Sequence, residues 1–298
     1  MQTQRPGLKR LVTDPIIAIL TAVIFIVFRV LPFKYASGLG GYLARKIGPK
    51  LKLHSLALKN LKSAFPHKPI SEITSIAKDM WDNLGRVAGE YPHLPSININ
   101  ADRGIVEVVG IEHVELLRDD NEPGIFFSGH IGNWEIVSLG ATQYGLPLDR
   151  VYRAANNRML EWVFRLGRRS ITGELIPKGS IGARQLLKSL YLKRHLGMMA
   201  DQKMNDGIPI PFFGRDAMTA PGLAEMAVRY KCPVVGARVR RYPGPRFKLI
   251  IDPPLNFTPS GDRHRDVKSI MTMINVRLEE WIREAPEQWL WVHNRWPD

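Results

Sequence analysis

The sequence predicts an α/β fold, a mixed sheet flanked by helices, with an N-terminal membrane-anchoring helix. From Ile105 onward, short apolar runs alternate with stretches of helical periodicity, a pattern typical of strands and helices that build one sheet. The 298 residues are 45% hydrophobic, which is enough for one large core, and no linker or internal repeat divides them. We therefore expect an anchor over residues 1–33 and one further domain over residues 34–298.

The predicted anchor is built around Ile16–Phe28, a run of apolar or near-apolar residues. Arg29 can extend its charge to lipid headgroups, so that Leu11–Phe33 can embed as one helix. At about 1.5 Å per residue the uninterrupted run is shorter than a hydrocarbon core of roughly 30 Å, which leaves open whether it spans the bilayer. A cleaved signal peptide is disfavoured because Lys34 lies where small residues should be. Basic residues are denser after the segment, and this predicts that the body faces the cytoplasm.

Helices and strands of the body are predicted from their apolar spacing. Helices before the sheet are expected at Tyr35–Ile47, Leu53–Ala64 and Glu72–Glu90. Strands are expected at Ile105–Val109, Ile125–Ser128, Leu196–Ala200, Pro233–Val239 and Phe247–Ile251. Later helices are expected at Asn133–Tyr144, Met159–Ser170, Ile181–Lys193, Pro221–Tyr230 and Val267–Arg283, and Pro209–Gly214 is expected to be a rigid loop.

The formal charge of +14 indicates an acidic partner: nucleic acid, an anionic membrane surface, or an acidic substrate or protein. The chain has no zinc-finger or RNA-recognition signature, and its tryptophans do not alternate with basic residues as stacking platforms would. Lipid phosphate is therefore favoured over nucleic acid, although a non-catalytic basic protein that binds membrane or nucleic acid remains an alternative. The single cysteine, Cys232, excludes an intramolecular disulfide and is expected to be a buried thiol.

The segment G-H-I-G-N-W-E carries a histidine and a carboxylate directly after a predicted strand. His130 is expected in the turn and Glu135 in the first turn of the next helix, where the two side chains can meet. A carboxylate that holds an imidazole fixes its tautomer, so that the free nitrogen can take a proton from a hydroxyl. The spacing alone also fits an ordinary helix start, so a structural role stays open. No metal site is expected, because the histidines lack zinc-ligand spacing.

Further blocks follow in an order found in one enzyme family. With the H-x-x-x-x-[DE] signature, the chain resembles the late acyltransferases of lipid A biosynthesis, the lauroyl and myristoyl acyltransferases, a branch of the lysophospholipid acyltransferase superfamily. The resemblance covers nearly the whole chain. Its blocks are Asn60 with Phe65-Pro66, Trp81–Arg86 with Glu90-Tyr91, Tyr152-Arg153 with Asn156-Asn157, Leu166–Arg168, Met198–Lys203, Ile210–Gly214, Thr219–Gly222 and Pro286–Trp291.

This resemblance implies transfer of a fatty acyl group from a thioester to a hydroxyl of a phosphorylated lipid A precursor, at the inner membrane. The donor is expected to be acyl carrier protein or acyl-CoA, and neither a cofactor nor a metal is implied. His130 would be the general base and Glu135 its orienting carboxylate. A related O-acyltransferase that uses acyl-CoA and another phosphorylated glycolipid or a lysophospholipid is the alternative within enzymes.

Four further residues are implied as substrate-binding groups: Arg153, Arg168, Asp201 and Gln202. Arg168 could clamp a phosphate or stabilise the oxyanion of the reacting thioester. The chain departs from the family pattern directly after Gln202, where Lys203-Met204 replaces an acidic and an aromatic residue. This departure bears on the preferred acyl chain or acceptor and leaves the reaction type unchanged.

Overall fold

Helices and strands alternate along the body of the protein, as the computed structural model shows for residues 8–99, 104–152, 155 and 157–296. In these ranges the α-helices are α1 Leu8–Val30, α2 Phe33–Ile47, α3 Lys52–Ala64, α4 Ile70–Glu90, α5 Ile111–Asp119, α6 Glu135–Gln143, α7 Glu161–Gly167, α8 Ser180–Tyr191, α9 Gly222–Tyr230 and α10 Arg263–Glu284. Short 3₁₀ segments cover Gly48–Lys50, Tyr91–Ser96, Arg158–Leu160 and Pro286–Gln288.

The strands of the described ranges are β1 Val106–Val109, β2 Ile125–Ser128, β3 Leu148–Tyr152, β4 Leu175–Pro177, β5 His195–Met199, β6 Lys203–Phe212, β7 Arg215–Thr219, β8 Val234–Tyr242 and β9 Arg246–Pro254. Seven of them form one sheet in the order β1-β9-β8-β2-β5-β3-β4. All neighbours in this sheet are parallel except the pair of β8 and β9. The predicted mixed α/β sheet is thus confirmed.

Strand β2 separates two hydrophobic cores, because successive side chains of a strand point to opposite faces. Phe127 packs in the core that includes α10, where its ring stacks on Trp281 at 5.4 Å between centroids. Phe126 packs in the other core with residues of α5 and α6. A sheet covered on both faces explains why β2 reads as a continuous apolar run.

Every predicted strand and helix of the body is present, with ends that differ by a few residues. The structure adds α5, β3, β4 and the β6–β7 hairpin. The prediction of a loop at Pro209–Gly214 is wrong, since these residues form the end of β6 and the turn of that hairpin. Phe213 and Gly214 turn the hairpin with φ of 52° and 72°, the left-handed pair that a two-residue turn needs. The two prolines of β6 are tolerated because the hairpin has only two strands.

The N-terminal helix is shorter than predicted at its C-terminal end. Helix α1 ends at Val30 and α2 begins at Phe33, because Pro32 disfavours a helical conformation in the residue before it. Within α1, residues 13–30 have a mean hydropathy of 2.1 and only 17% of them are buried. By length and composition this is the one helix in the described part of the chain that could cross a bilayer. Helix α1 also contacts the rest of the protein, because the His93 Nε2 atom is hydrogen-bonded to the Phe28 carbonyl oxygen at 2.7 Å.

Helices α2 and α4 cross so closely that their backbones touch. A Cβ atom at Gly85 would lie 2.1 Å from the Gly40 carbonyl oxygen, and one at Gly89 would lie 2.2 Å from the Ala36 carbonyl oxygen. Only glycine permits this approach. The contact holds α4, and with it Glu90 at its end, at a fixed distance from the N-terminal helices.

We predict that Gly85→Ala destabilises the fold by about 1–3 kcal/mol, because the added methyl group forces two helix backbones apart. Gly38→Ala on α2 is the matched control, since nothing lies within 4 Å of its added Cβ. The control should be neutral or stabilising by up to about 1 kcal/mol through helix propensity. Thermal unfolding in detergent measures both, and equal transition temperatures would contradict the close crossing.

Candidate active site

The ends of two neighbouring parallel strands bring His130 and Asp201 together. Ser128 of β2 pairs with Met199 of β5, so the residues two positions beyond each partner lie at the same edge of the sheet. This edge is the carboxyl end of parallel strands, where α/β proteins place their sites. Gly129 precedes His130 in a tightly packed place, since a Cβ there would lie 3.0 Å from the Leu278 Cδ2 atom.

The Asp201 carboxylate accepts three hydrogen bonds although its side chain is fully buried. The His130 backbone N–H donates to Oδ2 at 2.7 Å, and the His130 ring Nδ1 lies 2.9 Å from Oδ1. The Trp289 indole Nε1 donates to Oδ2 at 2.8 Å. These bonds offset the cost of burying the charge.

The bond to Asp201 sets the tautomer and charge of His130. A carboxylate can only accept, so the neutral ring carries its hydrogen on Nδ1 and leaves the Nε2 lone pair free. Burial lowers the pKa of His130, but the charge and hydrogen bond of Asp201 outweigh it, and the pKa lies above its ordinary value. Burial conversely raises the pKa of Asp201, but the charge of His130 outweighs it and the pKa lies well below its usual range. The neutral imidazole of His130 is therefore a stronger base than a histidine side chain with an ordinary pKa.

The backbone around His130 is held by the C-terminal segment. The Leu290 N–H donates to the His130 carbonyl at 3.2 Å, and the Gly132 N–H donates to the Gln288 carbonyl at 3.0 Å. Gly132 adopts a φ of 58°, and a Cβ there would lie 2.2 Å from the Val239 carbonyl oxygen. The second glycine of G-H-I-G is therefore required both by its conformation and by its packing.

The expected hydrogen bond between Glu135 and His130 is not formed, and this prediction is corrected. Glu135 begins α6 and instead pairs with Arg168, which donates from Nε at 2.8 Å and from a terminal nitrogen at 2.5 Å. The reason is that Asp201 already satisfies the ring nitrogen that Glu135 was expected to bond. Arg168 is likewise committed to its carboxylate, and its guanidinium also lies over the Tyr91 ring at 5.8 Å.

A cavity of about 620 Å³ opens in front of these groups. Most of its wall is apolar, with side chains from β2, β3, β5 and α8, and its polar lining includes His130, Glu135, Arg150, Arg168, Lys178 and Gln202. An apolar cavity with a few convergent polar groups is the usual form of a small-molecule site. Its dimensions and lining suit a lipid chain with a polar reacting end.

The remaining predicted binding residues differ in their placement. Gln202 lines the cavity, and its Oε1 accepts a hydrogen bond from the Lys178 ammonium at 3.0 Å. Asp201 is bonded to His130 and is not among the residues that line the cavity, so a direct contact between Asp201 and substrate stays a prediction. Arg153 lies outside the described residues.

His293 is a neighbour of the site that the sequence reasoning did not single out. Its ring centroid lies 5.1 Å from that of His130, and its buried Nε2 has no hydrogen-bond partner among the described residues. Burial lowers the pKa of His293 to about 4, so it is neutral at pH 7. One ligand atom from each of His130, Asp201 and His293 lies within 4.8 Å of the others, close enough for a metal ion. The spacing of these three residues in the sequence does not indicate the cluster, because they come from distant parts of the chain.

Comparison with known proteins identifies the family of the chain. The model of the family described as bacterial lipid A biosynthesis acyltransferase matches residues 6–298. The chain is 24% identical to a lipid A biosynthesis acyltransferase of Haemophilus influenzae over 88% of its length and 81% of that protein. It is 25% identical to the lipid A biosynthesis palmitoleoyltransferase of Escherichia coli K12 over 89% and 86%. It is 28% identical to the lauroyltransferase of the same organism over 88% and 84%. The chain belongs to this acyltransferase family, which confirms the resemblance.

Proposed function

We propose that this lipid A acyltransferase moves a fatty acyl group from acyl carrier protein to a hydroxyl of a phosphorylated lipid A precursor, with His130 as general base and Asp201 as its orienting carboxylate. Family membership supports acyl transfer in lipid A biosynthesis and implies an acyl donor and a lipid acceptor. One observation carries the mechanism: the Nδ1 atom of His130 bonds a fully buried carboxylate while the ring lines the cavity.

In the proposed reaction, the His130 Nε2 atom removes the proton of the acceptor hydroxyl as its oxygen attacks the thioester carbonyl. The tetrahedral intermediate then expels the thiolate, and the C–S bond breaks. The imidazolium returns the proton to the leaving sulfur, so that the products are an ester and a thiol. Asp201 remains ionised throughout and stabilises the imidazolium that forms between the two steps.

Direct transfer is favoured over an acyl-enzyme intermediate. Ser128 lines the cavity, but its hydroxyl donates to the Gly129 carbonyl, and no basic side chain of the described residues is hydrogen-bonded to it. Burial raises the pKa of Cys232 to about 11, and this thiol does not line the cavity. Neither group has the activation that a nucleophile requires.

The Glu135–Arg168 pair has a different role in this proposal. The pair lines the same cavity as His130, and its two parallel hydrogen bonds hold the guanidinium in one orientation. A fixed positive charge beside the reacting carbonyl would stabilise the developing oxyanion. Glu135 thus positions Arg168, while Asp201 positions His130.

Acyl carrier protein is the preferred donor because it is acidic, as is a phosphorylated acceptor, and the chain carries a net charge of +14. Transfer from acyl-CoA to a lysophospholipid is the competing reaction, and the purified enzyme assayed with both donors and both acceptors distinguishes them. Turnover only with the second pair would overturn the proposed substrates while keeping the acyl-transfer chemistry.

We predict that His130→Ala lowers the transfer rate by about 100- to 10,000-fold, the usual cost of losing a general base. The variant should stay folded, since the ring lies at the edge of the sheet and lines a cavity. His67→Ala replaces an exposed histidine and is the matched control. Radiolabelled acyl transfer measures both rates, and near-normal turnover in the His130 variant would end the mechanism.

Membrane attachment through α1, with the body on the cytoplasmic side of the inner membrane, is part of the proposal. Exposed apolar side chains run along this helix, including Ile19 at 63% and Ile26 at 58% exposure. A soluble protein rarely exposes so many apolar groups on one helix. We propose the boundary of the anchor at residue 33, where α2 begins.

We predict that the double variant Ile19→Asp, Ile26→Asp shifts the protein from the membrane to the soluble fraction, because each aspartate costs about 2.5–3.5 kcal/mol in hydrocarbon. Leu116→Asp with Val276→Asp is the matched control, since both residues are exposed and lie on α5 and α10. Fractionation after a high-salt wash measures the distribution. Unchanged membrane retention of the α1 variant would show that this helix is not the anchor.

A further inference from the structure

Arg150 lines the cavity, and its side chain forms no hydrogen bond with the residues that the structure describes. Its Nε atom is buried and unpaired, and in the described part of the chain no carboxylate forms an ion pair with its side chain. Other buried guanidinium groups in the described part of the chain are hydrogen-bonded. Arg295 has no carboxylate partner and its Nε is also unpaired, but its terminal nitrogens donate to the Met218 carbonyl and the Thr219 hydroxyl. Arg168 bonds Glu135, and Arg241 bonds Glu90 through two nitrogen atoms. Arg150 is thus an exception that needs a physical explanation.

The carboxylates nearest to Arg150 are already engaged. Glu135 acts on it electrostatically, but both Glu135 oxygens accept bonds from Arg168. Asp149 precedes it on β3, points to the opposite face of the strand and pairs with Arg194 at 2.6 Å. The cavity wall therefore holds two guanidinium groups, the ammonium groups of Lys178 and Lys203, and one carboxylate, so positive charge is in excess.

Such a charge is costly in a mostly apolar cavity unless an anion completes the site.

The neighbouring strand leaves space for the aliphatic part of the Arg150 side chain. Arg150 pairs in register with Gly197 of β5, and a Cβ at Gly197 would lie 3.3 Å from the Arg150 Cγ atom. A glycine at this position lets the stem cross the sheet surface while the guanidinium lines the cavity that His130 also lines.

We propose that Arg150 binds a phosphoryl group of one of the two substrates inside this cavity. The inference rests on the proposed function, in which the acceptor lipid and the phosphopantetheine arm of the donor both carry phosphate. A guanidinium matches phosphate oxygens through parallel N–H donors, and the buried Nε of Arg150 has no hydrogen-bond partner among the described residues. Bound phosphate would supply the missing negative charge and hold one substrate beside His130.

The first experiment compares stability and anion binding in the full-length protein, with Arg150→Met and Arg184→Met as matched variants. Arg184 is an exposed residue of α8 that does not line the cavity. In phosphate-free buffer, Arg150→Met should raise the melting temperature by about 2–4 °C, because it removes an unpaired buried charge. A structural arginine would instead lower the melting temperature when replaced, and that result would overturn the proposal.

Inorganic phosphate is then added as the probe in the same melting experiment. It should raise the melting temperature of the wild type and of Arg184→Met, and it should raise that of Arg150→Met much less. Arg150→Lys keeps the positive charge but lacks the parallel N–H donors of a guanidinium, so the rise in its melting temperature should be intermediate. An equal response of all four proteins would overturn the proposal. These readouts need no turnover, so their failure is distinguishable from failure of the proposed acyl transfer.

The second experiment identifies which substrate carries the phosphate. Transfer by wild type and Arg150→Met is compared for acceptors with and without phosphate, and for acyl-phosphopantetheine against acyl-pantetheine. We expect Arg150→Met to lose at least tenfold in kcat/KM with the phosphorylated form of one substrate and to lose little when that phosphate is absent. Equal losses with every substrate form would show that Arg150 only shapes the cavity, and would overturn the assignment.

Discussion

A single buried carboxylate, Asp201, organises the catalytic edge of the sheet. Removing this charge from water is unfavourable, and three N–H donors offset the cost: the His130 backbone, the His130 ring and the Trp289 indole. Because the donors come from the loop after β2 and from the C-terminal segment, one interaction fixes the orientation of the base and joins distant parts of the chain. The proposed reaction depends on this arrangement, since it determines which ring nitrogen faces the substrate.

A second buried charge connects the N-terminal helices to the same loop. Glu90, at the end of α4, is fully buried and is held by the Arg241 guanidinium, by the Ser37 hydroxyl at 2.6 Å and by the Asn133 amide at 2.8 Å. Asn133 follows His130 closely in the chain. The glycine-mediated crossing of α2 and α4 therefore helps to position the loop that carries the base, and it ties the helices nearest the proposed membrane anchor to the proposed chemistry.

The sequence predicts the architecture better than the contacts within the site. Apolar runs such as Ile125–Ser128 identify the central strands, whereas β3 was missed because Asp149 and Arg150 interrupt its apolar pattern. His130 was placed correctly after its strand, but spacing along one chain favoured Glu135 as its partner. The partner in the structure is Asp201, which a neighbouring parallel strand supplies from 71 residues away. Strand order decides that contact, and periodicity in one sequence carries no information about strand order.

The pH dependence of kcat/KM tests the pairing of His130 with Asp201 most directly, because its acid limb reports the pKa of the base in the free enzyme. The base must be neutral, so the wild-type rate should fall as the pH drops through a His130 pKa above 6.5. In Asp201→Asn the charge of Asp201 no longer opposes the effect of burial, so the limb should move to lower pH and the maximal rate should fall. Glu135→Gln should lower the rate while leaving the limb close to its wild-type position. A limb that moves in Glu135→Gln and stays in place in Asp201→Asn would contradict the account.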